Sequence, residues 1–285
     1  MSEHYVARQE GGRVYYTRSG QGDESLLFIG GLGGRSLRNV TDSFEKHFTC
    51  YVLDMPGSDY SDIPRKWLAD GTWTIEDYTD AVIEVMDAIG IGETFLIGDH
   101  TGAIVALNIA SKFPGRVKKL VLDSLGYWDL RQGGIIWDKF YLAQHTDTTS
   151  YDVPVRPLIV PYQEMKATDP GLTSEQWQVM DELNRRDRRW LREHMYANSH
   201  FDVEAVGPKV KTPTLLIYGE REILRRGEQR ALNDIKGSIL KIIADSPKLG
   251  VPTSGSHGYQ PEAFSRAALG FLLHGSVEGA ESARK

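Results

Sequence analysis

The segment from residue 93 to residue 110 constrains the fold of this chain more than any other part of the sequence. It begins with a short apolar run at 95–97, which is typical of a buried strand, and continues into a helical pattern that must stop at Pro114. Between the two lies Gly-Asp-His-Thr-Gly at 98–102. Glycines on either side of a central residue permit a sharp strand-to-helix turn, because a Cβ at either position would collide with the neighbouring backbone. The pattern therefore predicts that His100 projects from the apex of this turn, above the sheet.

Strands and helices alternate on both sides of this turn. Residues 4–9 and 13–18 suggest a hairpin, and the segments 25–29, 49–56 and 117–126 read as strands separated by helical patterns. Such alternation indicates parallel strands joined by crossovers, and ligands bind beyond the carboxyl ends of such strands. The residues predicted at these ends are Gly31, Leu32, Asp54, His100 and Ser124. Their convergence predicts a functional site, in which Asp54 is interpreted as a residue that fixes its loop.

Composition excludes several classes of protein. The net charge of −6 argues against a nucleic-acid-binding surface, which is usually basic. Cys50 is the only cysteine, so the chain has neither an intramolecular disulfide nor a thiolate metal cluster. The polar start lacks the apolar core of a signal peptide, and no apolar run approaches the roughly 20 residues of a membrane span. A cytoplasmic protein without nucleic-acid or membrane partners is therefore predicted.

Taken together, these motifs resemble the α/β-hydrolase family, and the resemblance extends from about residue 12 to about residue 275. The turn at 98–102 is similar to the family's nucleophile elbow, but His100 stands where the family usually has Ser, sometimes Asp or Cys. Glu222 stands three residues after Gly219, where most members have Asp, and His257 follows in a glycine- and serine-rich loop. In a typical member the histidine would deprotonate the serine, and the acid would hold the imidazole in the right tautomer.

The resemblance also implies the surroundings of the site and the domain organisation. Leu32 and Thr101 would donate the backbone N–H groups of the oxyanion hole. An eight-stranded, mostly parallel sheet flanked by helices is expected, with a core of residues 1–126 and 208–275, a helical cap at 127–207 and a flexible tail at 276–285. The aromatic residues that begin the cap, among them Trp128 and Trp137, either line the substrate pocket or form the cap's own core. The basic run at 185–192 is predicted to be a solvated helix face.

A histidine at the apex leaves the chemistry open. His100 could attack an acyl carbon or could move protons without forming a covalent bond. The positive end of the following helix disfavours an imidazolium, which favours a neutral imidazole that accepts protons. The sequence favours hydrolysis of an ester, lactone or C–C bond in a small, largely apolar, carbonyl-containing substrate. A non-hydrolytic reaction (lyase, decarboxylase, cyclase or cofactor-independent oxygenase) and an inactive ligand-binding protein remain alternatives.

No cofactor and no metal is predicted. Neither a Walker loop nor a full dinucleotide fingerprint is present, and no paired His, Asp or Glu spacing is typical of a metal site. The expected partner is a small-molecule substrate, and the protein is expected to be a monomer or a homodimer.

Overall fold

The structure is a computed structural model. It describes residues 1–31, 34–65, 73–127, 200–220, 222–244 and 260–282, together with a few isolated positions between 162 and 198 and at 258.

Nine strands in these ranges form one sheet, in the order β1-β2-β4-β3-β5-β6-β7-β8-β9. The strands are β1 (Ser2–Ala7), β2 (Arg13–Ser19), β3 (Glu24–Ile29), β4 (Phe48–Leu53), β5 (Thr94–Asp99), β6 (Val117–Asp123), β7 (Thr214–Gly219), β8 (Ile239–Ile243) and β9 (Glu281–Ser282). Strands β3 to β8 pair in parallel, whereas β1 with β2, β2 with β4, and β8 with β9 pair antiparallel. The predicted N-terminal hairpin and the mostly parallel sheet are therefore confirmed.

Helices connect the parallel strands and cover both faces of the sheet. The helices are α1 (Arg35–Arg38), α2 (Ile75–Ala88), α3 (Thr101–Lys112), α4 (Val203–Val206), α5 (Glu228–Asp234) and α6 (Pro261–His274). On β3, Leu27 and Ile29 join the core shared with α2 and α3, while Leu26 and Phe28 join the core shared with α1 and α6. Because successive strand residues point to opposite faces, a continuous apolar run is what a strand covered on both sides requires.

The C-terminal residues differ from the expected flexible tail. Glu281 and Ser282 pair with Leu240 and Ile239 as β9, which makes the sheet nine-stranded rather than eight-stranded. Val277 packs against the apolar core on the α6 side and helps to hold this segment against the sheet. The edge of β8 presents unpaired backbone groups, and β9 satisfies part of them. A short polar strand has no hydrophobic alternation, so its sequence resembles that of a frayed end.

The predicted cap at 127–207 lies mostly outside the described residues, as do Trp128, Trp137 and the basic run at 185–192. At its start, Tyr127 is buried, and its hydroxyl group donates a hydrogen bond of 3.1 Å to Asp234. No helix in the described ranges has both the length and the apolar character that crossing a bilayer requires.

Candidate active site

The turn between β5 and α3 holds His100 in an unusual backbone conformation. His100 has φ +55° and ψ −118°, in a region that residues with a Cβ rarely adopt. Its N–H donates to the carbonyl of Asp123 (3.0 Å), and its own carbonyl accepts from the N–H groups of Ala103 (3.0 Å) and Ile104 (3.2 Å). These bonds connect the apex to β6 on one side and to α3 on the other. The surrounding structure therefore maintains a conformation that would be unfavourable in isolation.

Close backbone contacts explain the glycines of this turn. A Cβ on Gly98 would lie 2.4 Å from the carbonyl oxygen of Gly102, and a Cβ on Gly102 would lie 2.1 Å from that of Ile29. A Cβ on Gly31 would lie 2.3 Å from the Cβ of His100. The structure thus brings Gly31, at the end of β3, directly against the apex. Leu32, the next residue, lies outside the described residues.

The imidazole of His100 is half-buried, and its Nε2 atom has no hydrogen-bond partner among the described residues. A buried polar atom without a partner is rare in native proteins, because leaving it unpaired costs about 1–3 kcal/mol. Such an atom lies here at the carboxyl edge of a parallel sheet, the edge at which ligands of such sheets bind. This is the chemical feature expected of a base or a nucleophile at this position.

Two residues of the predicted cap contact the head of α3, and neither was among the site residues predicted from the sequence. The hydroxyl oxygen of Thr101 makes a short contact with Nε2 of His194 and accepts a hydrogen bond of 2.6 Å from the amide of Asn198. Thr101 and His194 are each only 2% exposed. Burial, and then the neighbouring His100, lower the pKa of His194 well below its ordinary value. The site therefore contains a second, neutral imidazole beside His100.

The available signal for His194 and Asn198 was their spacing of four residues, which places both side chains on one face of a helix. The preceding basic run obscured that signal, because it is typical of a solvated face.

A second polar group lies at the ends of β5, β6 and β7, where Glu222 approaches Asp99 and Asp123. All three carboxyl groups are buried. Burial raises the pKa of Glu222 to about 8, and the charge of Asp123 contributes to the increase. One oxygen of Glu222 accepts from the N–H of Gly219 at 3.0 Å. In the part of the chain that the structure describes, no three such side chains are arranged to hold a metal ion.

Ser124 lies beside this group, as its position at the end of β6 predicted. Its hydroxyl is 3.5 Å from Oδ1 of Asp123, and a hydrogen bond from it to Glu222 moderates the increase in the pKa of that residue. Ser124 also has a positive φ, of +58°. His257 lies outside the described residues, so its relation to Glu222 stays a prediction.

Asp54 has the loop-fixing contacts that the sequence suggested. Its carboxylate is fully buried and accepts from the N–H groups of Gly34 (2.9 Å) and Tyr60 (3.2 Å), and it forms an ion pair with Arg38. Burial raises the pKa of Asp54 to about 6, although Arg38 opposes the increase. These contacts connect the loop after β3 to the loop after β4. The role of Asp54 is therefore structural.

The raised pKa of Glu222 predicts how the stability of the fold depends on pH. The folded-state pKa of about 8 exceeds the ordinary value of 4.5, so the folded state retains a proton that the unfolded state loses in this interval. Glu222 therefore lowers the free energy of unfolding as the pH rises from about 5 to about 8. We expect Glu222→Gln, which stays neutral, to gain stability relative to wild type over this interval, as measured by urea unfolding at both ends of it.

The matched control for this prediction is Glu278→Gln, because the side chain of Glu278 is exposed. The free energy of unfolding of the control should equal that of wild type at both pH values. A Glu222→Gln variant whose stability difference from wild type does not change with pH would contradict the assigned protonation state.

Comparison with known proteins extends the observations on fold and site. Residues 24–224 match the model of a family described as alpha/beta hydrolase fold. The dihydrolipoyllysine-residue acetyltransferase component of an acetoin cleaving system from Cupriavidus necator is 34% identical over 183 residues, which cover 63% of this chain and 44% of that protein. A 2-hydroxy-6-oxo-6-phenylhexa-2,4-dienoate hydrolase from Comamonas testosteroni is 30% identical over 118 residues, which cover 40% of each protein. The matches thus span less than half the length of these two relatives.

Solved structures agree with the family match. The crystal structure of a hydrolase from Pseudomonas aeruginosa superposes with a TM-score of 0.73 at 21% identity, and the match covers 95% of this chain and 98% of that one. At this identity the similarity shows the fold alone. The family match over residues 24–224 covers well over half of the chain, and the sheet and turn described above have the corresponding architecture. The chain therefore belongs to the α/β-hydrolase fold family.

Proposed function

We propose that this protein is an enzyme that hydrolyses an ester, a lactone or a C–C bond beside the carbonyl group of a small, largely apolar substrate, with His100 acting at the apex of the β5–α3 turn. The observation that carries this proposal is the buried, unpartnered Nε2 of a residue held at φ +55°. Strained backbone and unsatisfied buried polar atoms concentrate at functional sites. In His100 both occur in one residue, at the sheet edge where ligands of parallel sheets bind.

His100 acts in this proposal as a general base. A neutral imidazole accepts a proton from water while the water oxygen attacks the substrate carbonyl, and it returns that proton to the leaving group as the bond breaks. Direct attack by the imidazole is less favourable, because the Cβ of His100 already lies against the backbone of Gly31 and the ring is much larger than a serine hydroxymethyl group. Formation of a covalent acyl-imidazole is therefore not expected.

The other predicted site residues take supporting roles in the proposal. The backbone N–H groups of Thr101 and Leu32 stabilise the oxyanion that forms on the carbonyl oxygen. Glu222 orients His257, which acts on the leaving group or the attacking water. The aromatic residues at the start of the cap, Trp128 and Trp137, provide an apolar wall for the substrate. Gly31 leaves space for the imidazole, and the hydrogen bond from Ser124 favours the ionised form of Glu222.

The relatives support the substrate class. The enzyme from Comamonas testosteroni is named for the hydrolysis of an oxo compound that carries a phenyl group, which is both carbonyl-containing and partly apolar. The match covers only 40% of that enzyme, so the similarity supports a class of substrate and not a particular compound.

A non-hydrolytic acid–base reaction is the second candidate. The observation that favours it is the pair of imidazoles, His100 and His194, at a position where the family usually has a hydroxyl nucleophile. Removal of a proton from an acidic C–H bond requires a base but neither a nucleophile nor water. The two candidates differ in whether the product contains an oxygen atom from the solvent.

The test is an assay of the wild-type protein with activated aryl esters, simple lactones and vinylogous diketones, in water enriched in heavy oxygen. We expect one solvent oxygen in the carboxylate product, and intact-mass spectrometry during turnover should show the unmodified protein mass. Turnover without solvent oxygen would favour the non-hydrolytic reaction. An acyl group trapped on His100 would contradict the general-base role. Binding of these compounds without any turnover would contradict the proposal that the protein is an enzyme.

The variant His100→Ser tests whether the rest of the machinery is intact. It places the family's usual nucleophile over the N-terminus of α3, beside the backbone N–H of Thr101. We expect this variant to accumulate an acyl-enzyme with activated esters, visible as a mass increase that wild type does not show. A folded His100→Ser protein that never becomes acylated would show that the oxyanion donors or His257 are not arranged as proposed.

A further inference from the structure

A buried polar network joins the insertion after β6 to the first residue of α3. The amide of Asn198 donates to the hydroxyl oxygen of Thr101 at 2.6 Å, and His194 contacts the same oxygen through Nε2. His194 and Asn198 are both in helical conformation, and their spacing of four residues places them on the same face. One threonine hydroxyl therefore binds two side chains from a segment more than ninety residues away in the sequence.

We infer that Thr101, His194 and Asn198 form a polar clamp that fixes this segment on the head of α3 and makes His194 a positioning residue for His100. That His100 carries out the reaction rests on the proposed function, but the clamp itself does not. The clamp selects one position of the segment, because any shift would break the contacts of the buried Thr101 hydroxyl with the buried His194 ring and the partly buried Asn198 amide. Apolar contacts alone would tolerate such a shift, since they are not directional.

The clamp also determines the electrostatic environment of His100. His194 is buried and contacts the hydroxyl oxygen of Thr101, the residue that follows His100, and burial together with the nearby His100 lowers its pKa. A neutral His194 does not repel the proton that His100 receives in the proposed function. His194 therefore restricts the orientation of His100 without competing for charge.

The structure offers a matched control for the clamp. Thr79 on α2 accepts a hydrogen bond of 2.9 Å from the amide of Asn108, and both residues are buried. This is the same Asn-to-Thr arrangement on α3, but it lies in the middle of the helix, two turns from the apex. Thr79→Val and Thr101→Val each remove one buried hydroxyl that accepts from an asparagine amide. Comparison of the two variants therefore distinguishes the effect of losing a buried hydrogen bond from the effect of losing the clamp.

The first measurement is nitrogen NMR of protein labelled in its histidine rings, with His194 and His100 assigned from the His194→Gln and His100→Ala variants. In wild type, His194 should titrate at a lower pH than an exposed histidine. Thr101→Val should shift the resonances of both His194 and His100, whereas Thr79→Val should leave both unchanged. Both variants should lower the Tm by a few degrees.

Thr101→Ser, which retains the hydroxyl group, should recover the wild-type resonances. If Thr101→Val does not fold, Asn198→Ala removes the other partner of the same oxygen and should shift the His194 signal. Resonances of His194 and His100 that are unchanged in a folded Thr101→Val or Asn198→Ala protein would overturn the clamp.

The second measurement is turnover. Displacement of catalytic groups by a fraction of an ångström lowers rates strongly, so Thr101→Val and His194→Gln should lower kcat by roughly 10- to 100-fold and change KM far less. Thr79→Val should keep the wild-type kcat below its Tm. Equal kcat values for Thr101→Val and Thr79→Val in an active enzyme would overturn the positioning role. If wild type turns over no substrate while its ring resonances respond as expected, the proposed function fails and the clamp stands.

Discussion

Replacing His100 by alanine should lower kcat by about 10²- to 10⁴-fold, the contribution that a positioned general base usually makes. KM should change little, because a base acts mainly in the transition state, whereas apolar contacts with the substrate persist in the variant. Steady-state kinetics on the best ester or lactone substrate would measure both constants. The fold should be retained, because alanine keeps the Cβ that already lies against Gly31.

His47→Ala is the control for this substitution, since the side chain of His47 is exposed and belongs to the loop before β4. Its kinetics should match wild type. If His100→Ala kept wild-type kcat, the unpartnered nitrogen would have no role in catalysis, and the proposal would be wrong even if the protein hydrolysed esters.

Replacing Gly102 by alanine should have the largest effect on stability. Helix propensity alone predicts a gain of about 1 kcal/mol, because Gly102 lies in the first turn of α3 and alanine is the better helix former. The added Cβ would, however, lie 2.1 Å from the carbonyl oxygen of Ile29, a backbone atom of β3 that cannot rotate away. We expect the free energy of unfolding to fall by more than about 3 kcal/mol, beyond the usual range for overpacking, with the fold lost if β3 cannot move.

Gly115→Ala is the matched control. No atom lies within 4 Å of a Cβ added at Gly115, which belongs to the turn Pro114–Arg116 after α3. The free energy of unfolding of this variant should remain within about 0.5 kcal/mol of the wild-type value, as is usual for surface substitutions. Urea unfolding of the two variants measures the difference. Equal stability of Gly102→Ala and Gly115→Ala would show that the strand and the helix do not approach each other as closely as the structure indicates.

The parts of the fold that follow from local pattern could be predicted. The apolar runs of β3, β5 and β6 and the two glycines around His100 indicate a parallel sheet and a sharp turn, because they report steric requirements of neighbouring residues. Strand β9 could not be predicted in this way. Its two residues pair with β8 only because the edge of that strand is open, and local sequence contains no information on an edge about forty residues away.

The candidate site, too, could be predicted only where local sequence determines it. Glu222 was identified from its spacing after Gly219, but its raised pKa depends on burial and on Asp123, which is contributed by another strand. His194 was missed because its partner, Thr101, is distant in sequence and because a basic run precedes it. Contacts across the sheet edge depend on the order in which the strands lie in the sheet. A single sequence indicates that order only through motifs such as the turn at 98–102.

The backbone of His100 also bears on how this chain has changed in evolution. A non-glycine residue in such a conformation costs about 1–3 kcal/mol, and proteins are stabilised by only about 5–15 kcal/mol in total. Glycine would remove that cost, so selection for folding alone would favour glycine at this position. The same reasoning applies to Ser124, at φ +58° just after the neighbouring strand β6. The strained backbone at the apex therefore supports the proposal that the side chain of His100 has a functional role.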